Sequence, residues 1–448
     1  MRRVVGPLLA LTVALVLADS AVVTLALPDI LRELDTSVAQ VAWVLISFNL
    51  VLAIAAVPAA VALARVRPAV PTALGIAAFA GASAWCAVAG SIDVLIAARC
   101  VQALGGAVAV VGCLELLVAR YDERRGITVW VTAGVVGTAT GPFAGGLLTE
   151  LISWQSIFIV QVPVAVLAVP AALAVVAMPL PTLDRHRPDV RPNVTLALLS
   201  AALTAALFLL VLLLVEGWSR SPGIAALTVS VVPVAAIAAG PLARALRPSD
   251  EMEVAVGCFL IAGGLVGLAI LPSAHLGWTV APQALVGLGL GLTVDRLTAK
   301  AVSLRLPRIE HAGWTIGARH VGVVLGLAVL TPVFTADLRD AQVPAQEAIT
   351  ALVLDAPLQP QGKIAVAEAL GTALSAEQGQ VPELGPAFDR IDVPVEEQFA
   401  LARLERDLGD QLERAATRAF RDSFLLGAGF ALLALLVVVA PRRRRTAS

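Results

Sequence analysis

The sequence predicts an all-α membrane protein with twelve transmembrane helices in two six-helix halves and a helical insertion before the last helix. Hydrophobic residues make up 58% of the 448 residues and charged residues only 15%, whereas soluble domains carry about 25% charge. Twelve apolar stretches are long enough to cross a bilayer, which takes ~20 helical residues. The loops between these stretches are alternately rich and poor in Arg and Lys, so successive stretches are predicted to cross the membrane in opposite directions.

The first apolar span covers residues 5–27 and resembles a signal peptide in its length and in the two arginines before it. Asp19 lies inside the span, no clear small-residue cleavage site follows it, and a second span begins directly afterwards, so we interpret it as a retained helix. The remaining predicted spans are 41–64, 70–90, 93–119, 127–150, 156–178, 194–215, 222–242, 253–272, 277–295, 314–336 and 423–440.

The distribution of arginine predicts the topology, since cytoplasmic loops of membrane proteins are enriched in Arg and Lys. If the N-terminus is cytoplasmic, the short outer loops carry only Arg32 and Arg220. The inner segments carry Arg65, Arg67, Arg120, Arg124, Arg125, Arg185, Arg187, Arg191, Arg244, Arg247, Arg296, Lys300, Arg305, Arg308 and Arg442 to Arg445. We therefore predict a multi-pass protein of the bacterial plasma membrane with both termini in the cytoplasm.

Tryptophan supports the same spans, because Trp is enriched at membrane–water interfaces. All seven tryptophans lie at or near predicted span ends: Trp43, Trp85, Trp130, Trp154, Trp218, Trp278 and Trp314. We expect them to form an interfacial belt.

The predicted domain organisation is an N-terminal half, 1–178, a cytoplasmic linker, 179–193, and a C-terminal half, 194–448. The linker is rich in Pro, Arg and Asp. The C-terminal half contains a polar insertion, 337–422, which we place outside the cell. Its leucines at 401, 404, 408 and 412 predict an amphipathic helix that leads into the last span, and we expect a small helical cap.

The sequence shows no motif for catalysis or for cofactor binding. Four cysteines lie in apolar segments without the paired spacing of a metal or redox site. There is no phosphate-binding loop and no nucleophile motif. We therefore predict a monomeric non-enzyme with no cofactor, no metal and no nucleic-acid partner.

Asp19 is the first candidate functional residue, since ionisable groups deep in a membrane helix are costly. Helical rise places it ~13 Å below the outer end of the first helix, and Arg99 ~9 Å below the outer end of the fourth. The two side chains are therefore predicted to meet. Burial raises the pKa of a carboxyl and a neighbouring Arg lowers it, as in a proton-exchanging site; a purely structural ion pair is the alternative.

Small residues in the fifth span form a second candidate feature. Gly134, Gly137, Gly141, Gly145 and Gly146 lie at spacings that allow close backbone approach between helices in lipid. Pro142 lies among them and predicts a bend. We call residues 134–146 the glycine seam, and an ordinary tight helix crossing is the alternative interpretation.

The glycine seam resembles the antiporter motif of the major facilitator superfamily. Residues 19–28 and 95–107 are similar to the first-helix and fourth-helix motifs of its fourteen-helix drug:proton antiporter family, in which the residues matching Asp19 and Arg99 are implicated in proton coupling. The fourth-helix match includes Gln102 and Gly105. Trp43, Phe48 and Pro58 match its second helix, and 287–330, with Arg319, resembles its penultimate helix. The resemblance implies the major facilitator fold.

Two departures distinguish this chain from that family. We count twelve spans where the family has fourteen. The family's loop between helices two and three carries an Asp that participates in a latch between the halves, and Arg65 occupies that position here. In the sixth-helix entry, Gln155 and Gln161 replace the usual Arg and Asn.

Four further ionisable groups are ambiguous. Arg319 and His320 lie a few residues inside the eleventh span, where snorkelling to the inner surface and a functional role are equally compatible with the sequence. Glu115 lies near Arg120, and we interpret it as interfacial, like Asp295.

The favoured hypothesis is proton-coupled export of a small hydrophobic or amphiphilic compound, with Asp19 as the protonatable group, Arg99 as its partner and the glycine seam as the rocking contact. The second is export of an envelope lipid that the insertion receives. The third, suggested by the missing loop Asp, is a degenerate transporter acting as a membrane interaction protein. The sequence does not identify the substrate or the proton stoichiometry.

Overall fold

Twelve long helices form the body of the chain in a computed structural model, which describes residues 3–177, 186–246, 249–302, 306–376, 385–391 and 393–440. No strand occurs among these residues. The helices are α1 Val5–Thr24, α2 Val38–Leu63, α3 Ala69–Ala87, α4 Ile92–Arg120, α5 Glu123–Leu151, α6 Ser156–Leu173, α7 Val190–Gly217, α8 Pro222–Arg244, α9 Asp250–Ala269, α10 Leu276–Val302, α11 Arg308–Asp355 and α12 Gln398–Val439. Each is long and apolar enough to cross a membrane, as the sequence predicted.

Polar residues at the loop ends begin several of these helices, because a side-chain oxygen can accept a hydrogen bond from a free backbone N–H of the first turn. Ser91 caps α4, Asp122 caps α5 with a bond of 2.8 Å from the Arg125 N–H, and Ser249 caps α9. Ser37 begins α2 in a reciprocal capping box with Gln40. Polar residues thus fix where these four helices start.

Two hydrophobic cores correspond to the two halves. One set of buried side chains comes mainly from α1 to α6, and another comes mainly from α7 to α10 and α12. We call the end of the bundle where α6 leads to α7 the linker end and the opposite end the insertion end. Residues 178–185 of the predicted linker and the predicted cytoplasmic arginines at 247, 305 and 442–445 lie outside the described residues.

The halves repeat one packing contact. Gly137 of α5 meets the backbone of Ala14 in α1, and Gly322 of α11 meets the backbone of Ala197 in α7. One turn later, Gly141 meets Ala18 and Gly326 meets Ala201. The same glycine-to-alanine register in both halves is the structural repeat that sequence identity is too weak to reveal.

The predicted insertion begins within a helix. The helix that contains the predicted eleventh span, 314–336, starts at Arg308 and continues without a break to Asp355. Helices Pro360–Ala376 and Gly385–Phe388 follow, and the predicted amphipathic helix, Gln398–Ala419, leads into the last span across Phe420. We call residues 337–422 the cap.

The cap has a hydrophobic core of its own. Leu404, Leu408 and Leu412 of the amphipathic stripe are buried against other cap residues, including Val366 and Phe388. The cap is attached to the second half, since the Trp218 indole donates to Thr417 Oγ1 at 2.9 Å and Arg220 pairs with Glu413 at 3.2 Å.

The predicted tryptophan belt is wrong for three residues. Trp130, Trp154 and Trp218 are buried in the protein, and Trp130 donates to the Val110 carbonyl of α4 at 2.9 Å. The other four are exposed: Trp43, Trp85, Trp278 and Trp314. Position near a helix end does not reveal which side of the helix faces the bundle.

Candidate functional site

Asp19 of α1 and Arg99 of α4 form an ion pair inside the first half. The Arg99 Nη1 donates to Asp19 Oδ2, and neither side chain is exposed at all. The predicted meeting of these residues is therefore present in the structure. Their role in proton coupling remains a prediction.

Two buried glutamines and a serine extend the pair into a network. Gln161 of α6 donates to Asp19 Oδ1 at 2.9 Å, and Gln102 donates to the same oxygen at 3.3 Å. Arg99 donates to Gln102 Oε1 at 2.6 Å. Ser83 of α3 lies 2.8 Å from Gln102 Nε2 and 3.2 Å from Gln161 Oε1. Four helices of one half thus converge on a single carboxylate.

A backbone carbonyl and two aromatic rings also surround the Arg99 guanidinium. Its Nε donates to the Val44 carbonyl at 3.3 Å, and its guanidinium carbon lies 4.1 Å from the centre of the Phe48 ring and 5.6 Å from that of Phe158. Cation–π contact and charge-assisted hydrogen bonds offset part of the desolvation cost of a buried ion pair. Removal of either charge would leave the other buried and unpaired.

Gly105, from the predicted motif, sets the position of the helix that carries Arg99 and Gln102. A Cβ at Gly105 would lie 2.6 Å from the Phe79 nitrogen and 2.8 Å from the Gly75 carbonyl oxygen of α3. Real side chains do not fit at these distances, so the absence of a side chain lets α4 lie directly against α3. Gln102 can then reach Ser83.

The glycine seam packs α5 mainly against α1. A Cβ would lie 2.2 Å from the Ala14 carbonyl oxygen if placed on Gly137, and 2.2 Å from the Val22 carbonyl oxygen if placed on Gly145. Gly134 and Gly141 also face α1, and Pro142 is buried within an uninterrupted helix. The Thr138 hydroxyl donates to the Leu17 carbonyl at 3.1 Å. Four of the five seam glycines therefore contact the helix that carries Asp19.

Gly146 is the seam glycine that packs most closely against the other half. A Cβ on Gly146 would lie 2.4 Å from Ala226 Cβ of α8, and Glu150 nearby accepts a hydrogen bond from the Gly223 N–H at 3.1 Å. The seam also approaches the second half at Arg319 of α11, which lies 3.4 Å from Thr138 Oγ1. The role of the whole seam as the rocking contact between the halves remains a prediction.

A cavity of about 110 Å³ lies between the halves, near the middle of the helices. It is lined by α1, α2 and α5 of the first half and by α7 and α11 of the second. Asp19 does not line it, but Ser20 and Asn49 do, with 3.1 Å between Ser20 Oγ and Asn49 Oδ1. The buried network is thus one residue away from the space between the halves.

Arg319 and His320 line the cavity from the second half. Because α11 starts at Arg308, they lie about 16 Å along the helix from its linker end and do not lie at the surface. The Arg319 Nη2 lies 3.4 Å from Thr138 Oγ1 of the glycine seam. Arg319 therefore connects the penultimate helix to the antiporter-motif helix across the cavity.

A second cavity, of about 70 Å³, continues towards the insertion end and shares Thr24 and Phe208 with the first. Its walls are almost entirely apolar, and Glu216 lies on its lining. The two cavities form a cleft along the boundary between the halves.

The linker end of this boundary is closed. A Cβ on Gly313 of α11 would lie 2.6 Å from Ala60 Cβ of α2. Buried Arg308 lies 3.3 Å from a Glu123 oxygen and 3.8 Å from a Glu115 oxygen. Glu115, which we interpreted as interfacial beside Arg120, therefore pairs across the two halves.

The second half lacks the charged pair. In the glycine-to-alanine register that the halves share, the position of Asp19 corresponds to Ala202 in α7. Asp295 of α10 is exposed and lies beyond ion-pair distance of Arg319. Within the described residues, the buried carboxylate–guanidinium pair thus belongs to the first half alone.

Comparison with known proteins agrees with this architecture. A family model described as Major Facilitator Superfamily matches residues 9–331, from within α1 through α10 and into α11. The chain belongs to the major facilitator superfamily. Its twelve apolar helices make it a multi-pass membrane protein.

Several curated members of the superfamily are similar in sequence over part of their length. The Methylenomycin A resistance protein of Bacillus subtilis is 34% identical over 173 residues, 38% of this chain and 37% of the relative. The Tetracenomycin C resistance and export protein of Streptomyces glaucescens is 32% identical over 37% of this chain and 31% of the relative. The Putative multidrug resistance protein MdtD of Escherichia coli is 35% identical over 42% and 40%. Each match spans less than half of the relative.

Solved structures match over nearly the whole chain. A bacterial homologue of the human lysosomal transporter Spinster matches 97% of this chain, with TM-scores of 0.61 in an inward-facing, unoccupied form and 0.63 in an inward-facing, occupied form. Sequence identity is 15% and 16%. These matches show a shared fold, and they confirm the predicted major facilitator fold.

Proposed function

We propose that this transporter exports a hydrophobic or amphiphilic compound in exchange for protons, with Asp19 as the protonatable group and Arg99 as its partner. One observation carries the proposal. Asp19 is fully buried, it is the ion-pair partner of Arg99 within the described residues, and the next residue, Ser20, lines the cavity between the halves. Protonation of a carboxylate in this position can change how α1 packs and, with it, the shape of the cleft that α1 lines.

Protonation of Asp19 changes the balance of the network. A neutral Asp19 leaves the Arg99 charge buried and unpaired, which is costly. The cost falls if α1 shifts and lets water or substrate reach the network. Since Gly137 and Gly145 hold α5 against α1, the two helices are expected to move together. Protonation is thereby coupled to the cavity that both helices line.

The direction of transport follows from the proposed topology. The linker end is closed and carries most of the described loop arginines, including Arg65, Arg67, Arg124 and Arg187, so we place it in the cytoplasm. The cleft then extends from the middle of the membrane towards the outside, and the cap lies outside the cell. This arrangement suits release of a compound outward. The names of the three curated relatives, two resistance proteins and a resistance and export protein, support an export function.

An envelope lipid exporter is the second candidate. The cap buries its leucine stripe but leaves other apolar side chains exposed, namely Leu354, Ile364 and Phe399. Such side chains on one small unit are typical of a surface that contacts lipid or another protein. Under this candidate the cap receives the lipid as it leaves the cleft.

Transport by purified protein in proteoliposomes tests the proposal. Methylenomycin A and tetracenomycin C, taken from the names of two relatives, are suitable first compounds, together with a lipophilic fluorescent dye. We expect uptake when a pH gradient is imposed, proton movement in the opposite direction, and loss of both when an uncoupler is added. A flux of compound that ignores the gradient would contradict coupling, and no flux of any compound would favour the degenerate transporter.

A further inference from the structure

The cavity between the halves carries a positive charge. Arg319 is half-buried in its wall, and the other polar groups that surround the space are uncharged hydroxyls and an amide, together with His320. Those polar lining residues are Ser20, Thr24, Asn49, Thr138, Ser200 and Thr204. Among the residues that the structure describes, no carboxylate lines this cavity.

Nearby carboxylates do not neutralise Arg319 by direct contact. Asp19 is enclosed in its own network and is bonded to Arg99. Asp295 of α10 is exposed and lies more than 4 Å from the Arg319 guanidinium, so the two form no ion pair. Because a cation in a largely desolvated site gains most from an anionic partner, the cavity is suited to a negatively charged group.

The adjoining cavity is suited to an apolar chain. It begins at Thr24 and Phe208, where the first cavity ends, and it is lined by side chains such as Leu31, Val211 and Phe334. From Arg319 to Thr331, at its far end, the cleft extends about 18 Å along α11. Glu216 lies at the far end as well and already has a partner within the protein.

We propose that this transporter selects amphiphiles with an anionic headgroup, a carboxylate, sulfate or phosphate ester, with Arg319 as the headgroup ligand and the apolar cavity as the site of the chain. The proposal rests on the proposed export function and names its substrate class. A guanidinium can offer paired N–H donors to an oxyanion, and the Arg319 guanidinium is held at the cavity wall beside the Thr138 hydroxyl, to which its Nη2 donates at 3.4 Å. Cationic amphiphiles would meet the same charge as a repulsion.

Binding to the full-length protein in phosphatidylcholine nanodiscs tests this proposal without transport. The probes are dodecyl phosphate, dodecyltrimethylammonium and dodecanol, which share one chain and differ in charge; empty nanodiscs give the background. We expect dodecyl phosphate to bind at least about tenfold more tightly than dodecyltrimethylammonium. Equal or tighter binding of the cation, or no binding of any probe, would overturn the proposal.

The variant Arg319→Gln distinguishes the effect of the Arg319 charge on binding from a general loss of structure. It should remove the preference for dodecyl phosphate while dodecanol binding stays within about twofold, since the apolar contacts are retained. Arg319→Lys should keep part of the preference, because it keeps the charge but loses the paired donors. Arg244→Gln, which removes an exposed arginine of α8 distant from the cavity lining, is the matched control. A preference that survives in Arg319→Gln would contradict the assignment.

Two further arms identify the source of the ligand and separate this proposal from the transport mechanism. If phosphatidylglycerol added to the nanodisc competes with dodecyl phosphate, the anionic group belongs to a membrane lipid; if it does not, the ligand is a single-chain compound.

An anionic preference in binding without gradient-driven flux would contradict the proposed function alone. Gradient-driven flux that favours cationic amphiphiles would sink the substrate class alone.

Discussion

Arg308 at the first residue of α11 lies 3.3 Å from the carboxylate of Glu123 at the first residue of α5, and this ion pair joins the two halves at the linker end. Glu115 of α4 lies on the other side of the same guanidinium. The loop between α2 and α3 carries Arg65 where the antiporter family has its latch Asp. The linker end is therefore closed by a contact that does not use the missing residue.

Replacement of Arg308 by Gln should open the linker end more often. Glu123 is half-exposed and the Glu115 contact is long, so we expect an effect of about 1 kcal/mol, or about fivefold in the open population. Ala56 is fully buried where α2 meets Gly313, so a cysteine placed there, with the native cysteines replaced by Ala, reports opening by its rate of maleimide labelling.

The control for this measurement is Arg220→Gln, which breaks the pair between Arg220 and Glu413 at the opposite end. Labelling at position 56 should rise about fivefold in Arg308→Gln and stay unchanged in Arg220→Gln. Equal labelling rates in wild type and Arg308→Gln would show that the ion pair does not hold the linker end closed.

Replacement of Gly145 by Leu should separate α5 from α1. The first added carbon alone would lie 2.2 Å from the Val22 carbonyl oxygen, and a backbone oxygen cannot rotate away. Overpacking of this kind costs about 1–3 kcal/mol, so we expect a lower thermal unfolding midpoint and a large loss of transport rate with normal membrane insertion.

Gly81→Leu is the matched control for the glycine seam. Gly81 lies in α3 and is exposed, and a Cβ at this position would have no neighbouring atom within 4 Å. The variant should behave as wild type in both measurements. Wild-type turnover in Gly145→Leu would mean that α1 and α5 do not need this close contact.

Leu408→Glu should unfold the cap and leave the bundle intact. Leu408 is fully buried in the cap core, so its replacement buries a charge without a partner. Hydrogen exchange in helix Pro360–Ala376 should become fast, while α1 to α10 keep their protection. Leu354→Glu, at an exposed position of the same cap, is the control and should change neither. Slow exchange throughout the cap of Leu408→Glu would contradict the assigned core.

Replacement of residues 343–415 by a short flexible linker separates the two transport candidates. If the cap only covers the bundle, export of small hydrophobic compounds and the composition of envelope lipids should both be retained. Selective loss of lipid export in this variant would contradict our preference and support the lipid exporter. Retained drug export with normal lipids would sink the lipid exporter.

The number and positions of the membrane-spanning helices were largely predictable, because they follow from the length and composition of the apolar stretches. Stretches of about 20 apolar residues have few alternatives to a spanning helix, and fixed helical rise placed Asp19 and Arg99 at similar depth. The close approach of Gly137 and Gly145 to another helix was predictable from their spacing. The identity of that helix was not, because spacing on one helix says nothing about its neighbour.

The remaining parts of the site depend on which side of a helix faces the bundle. Gln161 departs from the family pattern, but nothing in the sequence indicates its hydrogen bond to Asp19, and nothing marks Ser83 as part of the network. Arg319 was placed too close to the surface because the polar first turns of α11 concealed its start at Arg308. Buried Trp130 shows the same limit of an argument from depth alone.

Uphill transport by Asp19→Asn tests the central claim most directly. Since this change leaves Arg99 buried and unpaired, at a cost of about 3–5 kcal/mol, the double variant Asp19→Asn with Arg99→Gln is measured beside it as the version without a buried charge. Both variants, reconstituted in proteoliposomes, should exchange compound down its own gradient but lose accumulation driven by a pH gradient. Gradient-driven accumulation at the wild-type level in a folded form of either variant would contradict the assignment of Asp19 as the coupling group.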